Sequence, residues 1–118
     1  MKIEATNLTP KVILNNTDSI LFFEGICTPE NPNKFFSKVK ELIDTSIKNN
    51  NKIWFDIHLE YFNTSAFKHL MDIFMSISNS KVNTKVIWRT DEDDDELIES
   101  GEIIKNVTNI PLEIVKNK

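Results

Sequence analysis

The chain has 118 residues and a formal net charge of −4, with 40% hydrophobic and 27% charged residues. That size suits one domain around one core, expected over residues 1–118, and no apolar run approaches the roughly 20 residues of a membrane span. The acidic balance and the lack of any Lys/Arg cluster exclude a nucleic-acid binder. MKIEATNLTP lacks the apolar core of a signal peptide, and the single Cys27 has no partner for an internal disulfide, so a cytoplasmic protein is expected.

The first element is a hairpin. KVILN and SILFFEG flank Asn15, Asn16, Thr17 and Asp18, residues that tolerate tight turns. Gly25 and CTPENPN then break the second strand, placing Cys27 in a Pro-rich turn. Asn31-Pro32 reads as a cap followed by proline at the first helical position. Phe35, Phe36, Val39, Leu42, Ile43 and Ile47 recur at spacings of three and four, which predicts an amphipathic helix ended by NNNK.

A strand over 53–59 follows. Ile53, Phe55, Ile57 and Leu59 point one way and Trp54, Asp56, His58 and Glu60 the other, so one face of the sheet is expected to stay open. Lys85 and Arg89 are expected opposite those outward residues, with Trp88 turned inward. A second helix starts near Ser65, with Phe67, Leu70, Met71, Phe74 and Ile77 on its buried side. Next come a strand at 85–89, the acidic run Asp91 to Glu96, a third amphipathic segment holding Leu97, Ile98, Ile103 and Ile104, and a last strand after Pro111. The order β-β-α-β-α-β-α-β predicts a two-layer α/β domain, with a mixed sheet of about five strands and helices mainly on one face.

Catalysis finds little support. Two glycines exclude a phosphate-cradling glycine loop, and two histidines leave no Ser-His-Asp or Cys-His set. Asp56, His58 and Glu60 offer metal-ligand types, but successive outward residues stand about 6.5 to 7 Å apart, so a solvated sheet face is the better reading. His69 has no evident partner and reads as a surface residue. Cys27, without a second thiol, reads as structural rather than nucleophilic.

Two segments remain. The six carboxylates of Asp91 to Glu96 suit a solvated loop that feeds negative charge into a helix start, or a docking surface for a basic partner. A divalent-metal site through Asp93 and Asp94 is the weaker alternative, since the run lacks the spacing of a calcium loop. In Asn63-Thr64-Ser65 a side chain can simply cap the second helix. The same placement, a hydroxyl at a helix N-terminus beyond a parallel strand, also suits phosphate, which would meet free N–H groups. In a parallel sheet Thr64 and the acidic run leave the same edge, a layout that suits a switch.

IEAT and TPKV near the start, GICTPEN, LEYFNTS and DEDDDELIESGE occur in order along the chain. Together they resemble the SiaC family of bacterial regulatory phosphoproteins, small STAS-like domains. The resemblance departs at Ala66, where a second serine often stands, and at IWRT, which keeps only Trp88 of a more aromatic strand end.

The resemblance implies a non-enzymatic, cofactor-free switch in bacterial signal transduction. A dedicated kinase phosphorylates the motif threonine, here Thr64 with Ser65 as runner-up, and a PP2C-type phosphatase restores it. The unphosphorylated form binds and activates a diguanylate cyclase, affecting c-di-GMP signalling and biofilm or aggregation. Asn63 is then the helix cap. Glu60, Tyr61, Phe62, Asp91, Glu92, Asp93, Asp94, Asp95 and Glu96 are the expected partner-binding residues. The alternative is a structural or metal-binding interaction module without a phosphoswitch.

Overall fold

The computed structural model describes residues 1–91 and 93–117. Expectations for Glu92 therefore lie outside the described residues. The elements are β1 (Lys2–Ile3), β2 (Lys11–Asn15), β3 (Ile20–Cys27), α1 (Pro32–Asn50), β4 (Lys52–Phe62), α2 (Thr64–Ser78), β5 (Asn83–Asp91), α3 (Asp95–Thr108) and β6 (Leu112–Asn117).

They form one six-stranded sheet in the order β1-β2-β3-β4-β5-β6. β1, β2 and β3 pair antiparallel, whereas β3, β4, β5 and β6 are parallel. The class matches the expectation, but the sheet has six strands rather than about five. The addition, β1, is two residues long and pairs Lys2 with Ile13 and Ile3 with Val12. Two residues carry no periodicity, so only pairing defines that strand.

Local chemistry sets the boundaries. Ser19 adopts a left-handed backbone (φ 55°), so β3 begins at Ile20. Asn31 caps α1 by accepting from the Lys34 N–H, with proline at the helix start, and Asn51 closes it in the left-handed conformation. Three crossovers stepping one way across the sheet put α1, α2 and α3 on one face. Ile53, Phe55, Ile57 and Leu59 of β4 are buried beneath them, with Phe55 edge-on to Phe74 of α2 at 5.1 Å.

The other face of the sheet carries ion pairs set among apolar side chains such as Ile13, Phe22 and Trp54. Arg89 forks onto Asp56, Nε to Oδ1 at 2.7 Å and Nη2 to Oδ2 at 3.0 Å. That contact with Asp56 holds the guanidinium still more firmly in its charged form. Lys85 Nζ lies 5.7 Å from the Trp54 ring and 3.9 Å from a Glu113 carboxylate oxygen. Among the described residues no helix is long and apolar enough to cross a membrane.

Candidate functional site

The C-terminal ends of β4 and β5 build the region of interest. Gly25 of β3 pairs with Leu59, but its neighbour Ile26 pairs with Tyr61, so Glu60 is an extra, bulged residue. Such a bulge reverses the side-chain alternation beyond it. Tyr61 therefore turns outward at 57% exposure, while Phe62 turns inward. Phe62 stacks on Phe67 of α2 at 5.6 Å and meets the buried Trp88 edge-on at 6.0 Å. The expected docking set is thus divided: Tyr61 faces solvent, and Phe62 packs partly into the core.

Asn63 occupies the cap position of α2. Its Oδ1 accepts from the Ala66 N–H at 2.9 Å, its carbonyl accepts from the Phe67 N–H at 3.0 Å, and its own N–H donates to the Cys27 carbonyl at 3.3 Å. Thr64 opens the helix and is exposed. Its hydroxyl makes no side-chain hydrogen bond among the described residues, so it is not spent on capping. Ser65 is half-buried, and its carbonyl accepts from His69 Nδ1 at 2.9 Å.

His69 corrects the expectation of a partnerless surface residue. Its Nε2 lies 3.1 Å from the Asn33 side chain of α1, and its ring stacks on Phe36 at 4.9 Å. It ties α1 to the first turns of α2, a contact that depends on how two helices pack rather than on either one's pattern. Cys27 is likewise not in a turn but is the last residue of β3, buried, with its thiol pushed up to about 12 by desolvation. A thiol held protonated there is no nucleophile.

The acidic run is shared between three structural jobs. Asp91 ends β5, with one carboxylate oxygen 3.4 Å from His58 Nε2. Asp94 caps α3 by accepting from the Leu97 N–H at 3.1 Å, and Asp95 and Glu96 fill the helix's first turn, where negative charge opposes the dipole favourably. Asp93 lies in the exposed turn between them. Among the described residues no group of three or more His, Cys, Asp or Glu side chains is arranged to hold a metal ion. Asp56 is committed to Arg89, which separates it from His58 and Glu60 as a ligand set.

Strand ends and acidic run do meet. Glu60, Tyr61 and Phe62 share a pit of about 80 Å³ with Asp94, Glu96, Leu97 and Ser100. The wall behind it is braced by Trp88, whose Nε1–H donates to the Leu97 carbonyl at 2.8 Å. Gly101 makes that brace possible, because a Cβ there would stand 2.6 Å from Trp88 Cδ1. The bulge and the glycine contact have sequence traces in Gly25 and Gly101, but neither residue alone reveals what it approaches.

A parallel-cored sheet with helices on one face describes a small two-layer α/β domain. The family model of the SiaC family regulatory phosphoprotein matches residues 3–117, and the chain belongs to that family. Its structure is similar to a chain in the crystal structure of the diguanylate cyclase SiaD in complex with its activator SiaC from Pseudomonas aeruginosa. There the TM-score is 0.89 at 22% identity, covering 99% of each chain. SiaC of Pseudomonas aeruginosa aligns at TM-score 0.86 and 23% identity over 99% of this chain and 98% of that one. Apo-SiaC from the same organism gives 0.82 and 22% over 98% and 97%. No curated protein matches the chain significantly.

Proposed function

We propose that this protein is a non-enzymatic cytoplasmic switch, controlled by reversible phosphorylation of Thr64, whose unphosphorylated form binds and activates a diguanylate cyclase. The observation that carries the reading is the division of labour at the start of α2: Asn63 does the capping and Thr64 presents an exposed, unengaged hydroxyl. Ser65, half-buried, is the second choice for modification. The structural likeness to an activator seen with its cyclase supports the choice of partner.

A kinase would move the γ-phosphoryl group of ATP onto Thr64 Oγ1, releasing ADP and a proton, and a PP2C-type phosphatase would hydrolyse the ester to inorganic phosphate. The phosphate adds about −1.5 to −2 charge at pH 7. It can accept from the unpaired N–H groups of the first turn, so α2 itself tolerates it. The acidic start of α3 leaves the same sheet edge and is repelled by it. The predicted consequence is a reshaped partner surface around Tyr61 and Glu96.

The test is to incubate the protein with its cognate kinase and ATP, locate the phosphate by mass spectrometry, and measure cyclase activation. Phosphate is expected on Thr64. Thr64→Ala should block incorporation and still activate the cyclase, whereas Thr64→Asp should activate it several-fold less. Phosphate elsewhere, or equal activation by both variants, would overturn the reading.

A further inference from the structure

The sheet face away from the helices has no second layer over it. Strand parity fixes which side chains point there. Val12 and Leu14 of β2 and Leu21 and Phe23 of β3 are buried in the core, so Lys11, Ile13, Phe22 and Glu24 face out. Ile3 of β1 packs against the core, which turns Lys2 outward as well. The strand registers then align Lys2, Ile13, Phe22 and Asp56 in one row across β1, β2, β3 and β4. In the next row Lys11 of β2 stands directly opposite Glu24 of β3. All of these except Lys2 line one hollow of about 350 Å³, and the Phe22 ring in it is 37% exposed. Lys11 and Glu24 are cross-strand neighbours of opposite sign, yet neither forms an ion pair among the described residues.

The pattern is its own complement. From β1 to β4 the first row runs cation, apolar, apolar, anion, and from β4 to β1 it runs anion, apolar, apolar, cation. A two-fold axis along the strands, between β2 and β3, lays β2 of one copy on β3 of another and β1 on β4. Ile13 then meets Phe22 twice, and Lys11 meets Glu24 twice. Lys2 comes over Asp56, but Asp56 already holds Arg89, so the new contacts rest on the other two pairs. Two twisted sheets stack in this way with their strands within about 30° of each other and their inner side chains interdigitated.

We infer that the open face of β1 to β4 seats a second copy of this chain, in a two-fold dimer joined sheet to sheet. An interface of that symmetry brings one patch onto itself and must be self-complementary, which this patch is in both charge and apolar contact. Lys2, Lys11, Glu24 and Asp56 cancel, so the net charge of −4 lies elsewhere on the chain, and at physiological salt its repulsion is screened beyond about 8 Å. Four strands about 4.8 Å apart give a strip roughly 19 Å wide. That is at the small end of specific interfaces, so the dimer is weak and depends on concentration. The helices lie on the two outer faces of such a dimer, which leaves Thr64 at the start of α2 open on both copies. The dimer therefore goes beyond the phosphoswitch reading and does not depend on it.

The test is sedimentation velocity on the full chain from about 10 µM to 1 mM, a range that reaches weak associations of this size. The sedimentation coefficient is expected to rise with concentration toward that of a dimer. Lys11→Glu and Glu24→Lys each set like charges against one another twice, so each variant alone should weaken association roughly tenfold or more. An equimolar mixture of the two should associate again, because every charge at the interface then meets its opposite. The double variant Lys11→Glu with Glu24→Lys should dimerise by itself for the same reason. Both residues lie at the surface, and thermal unfolding of each variant confirms that it is folded. A chain that stays monomeric over the whole range leaves this face to a different protein and overturns the inference. A dimer that neither single variant weakens, or a mixture that stays monomeric, overturns it equally.

Discussion

The two faces of β4 carry opposite chemistry on one strand. Ile53, Phe55, Ile57 and Leu59 are each at most 2% exposed beneath the helices, while Trp54, Asp56 and His58 line a half-exposed face of paired charges. The covered face is held by the removal of hydrocarbon from water, which is non-directional and large. The open face is held by specific ion pairs, the forked Arg89–Asp56 pair with its carboxylate only 13% exposed and looser pairs nearer solvent. Beyond Glu60 the division ends, because the bulge turns Tyr61 out and Phe62 in. The exposed ring of Tyr61 arises where the regular alternation is interrupted.

Substitution on the two faces should separate these contributions sharply. Phe55→Ala, which empties a site against Phe74, is expected to cost about 3–5 kcal/mol in chemical denaturation. Arg89→Ala on the other face leaves the Asp56 carboxylate, only 13% exposed, without its forked partner and should cost about 1–3 kcal/mol. Similar losses from both would break the contrast.

Gly101→Ala probes the covered side near the pit. The helix gains about 1 kcal/mol of propensity from alanine, but a methyl 2.6 Å from Trp88 overpacks a buried ring. Overpacking of this kind costs roughly 1–3 kcal/mol, so a net loss is expected, together with a shift in tryptophan fluorescence. A stabilised variant with unchanged fluorescence would show that Trp88 moves freely, and would remove the brace behind the pit.

The smallest effects fall on the helix start. Asn63→Ala should destabilise the protein by about 1 kcal/mol through loss of the cap. Thr64→Ala, which removes an unengaged exposed hydroxyl, should stay within about 0.5 kcal/mol in the same unfolding measurement. Equal losses at the two positions would mean that Thr64 shares the capping.

Much of this was legible from residue order. The i, i+3, i+4 pattern from Phe35 to Ile47 matches α1, and the alternation from Ile53 to Leu59 matches the buried and open faces of β4. Trp88 turns inward, and Arg89 meets Asp56 across the open face. These features follow from local periodicity and from strand parity, both encoded in adjacent residues. The motifs LEYFNTS and DEDDDELIESGE also carried the family resemblance.

Other features needed the folded chain. β1 exists only because two residues find β2, and His69 has partners only because α1 lies against α2. The register slip at Glu60 belongs to two strands at once, so no reading of β4 alone shows that Phe62 faces the core. The pit likewise joins Glu60 to Glu96, residues brought together by a parallel crossover. Sequence by itself determined every element except β1, the covered and open faces of β4, and the hydroxyl at the start of α2, because short-range periodicity and capping chemistry are local. Tertiary structure alone decided which acidic and aromatic side chains share a cleft, because that depends on strand register and helix packing between distant segments.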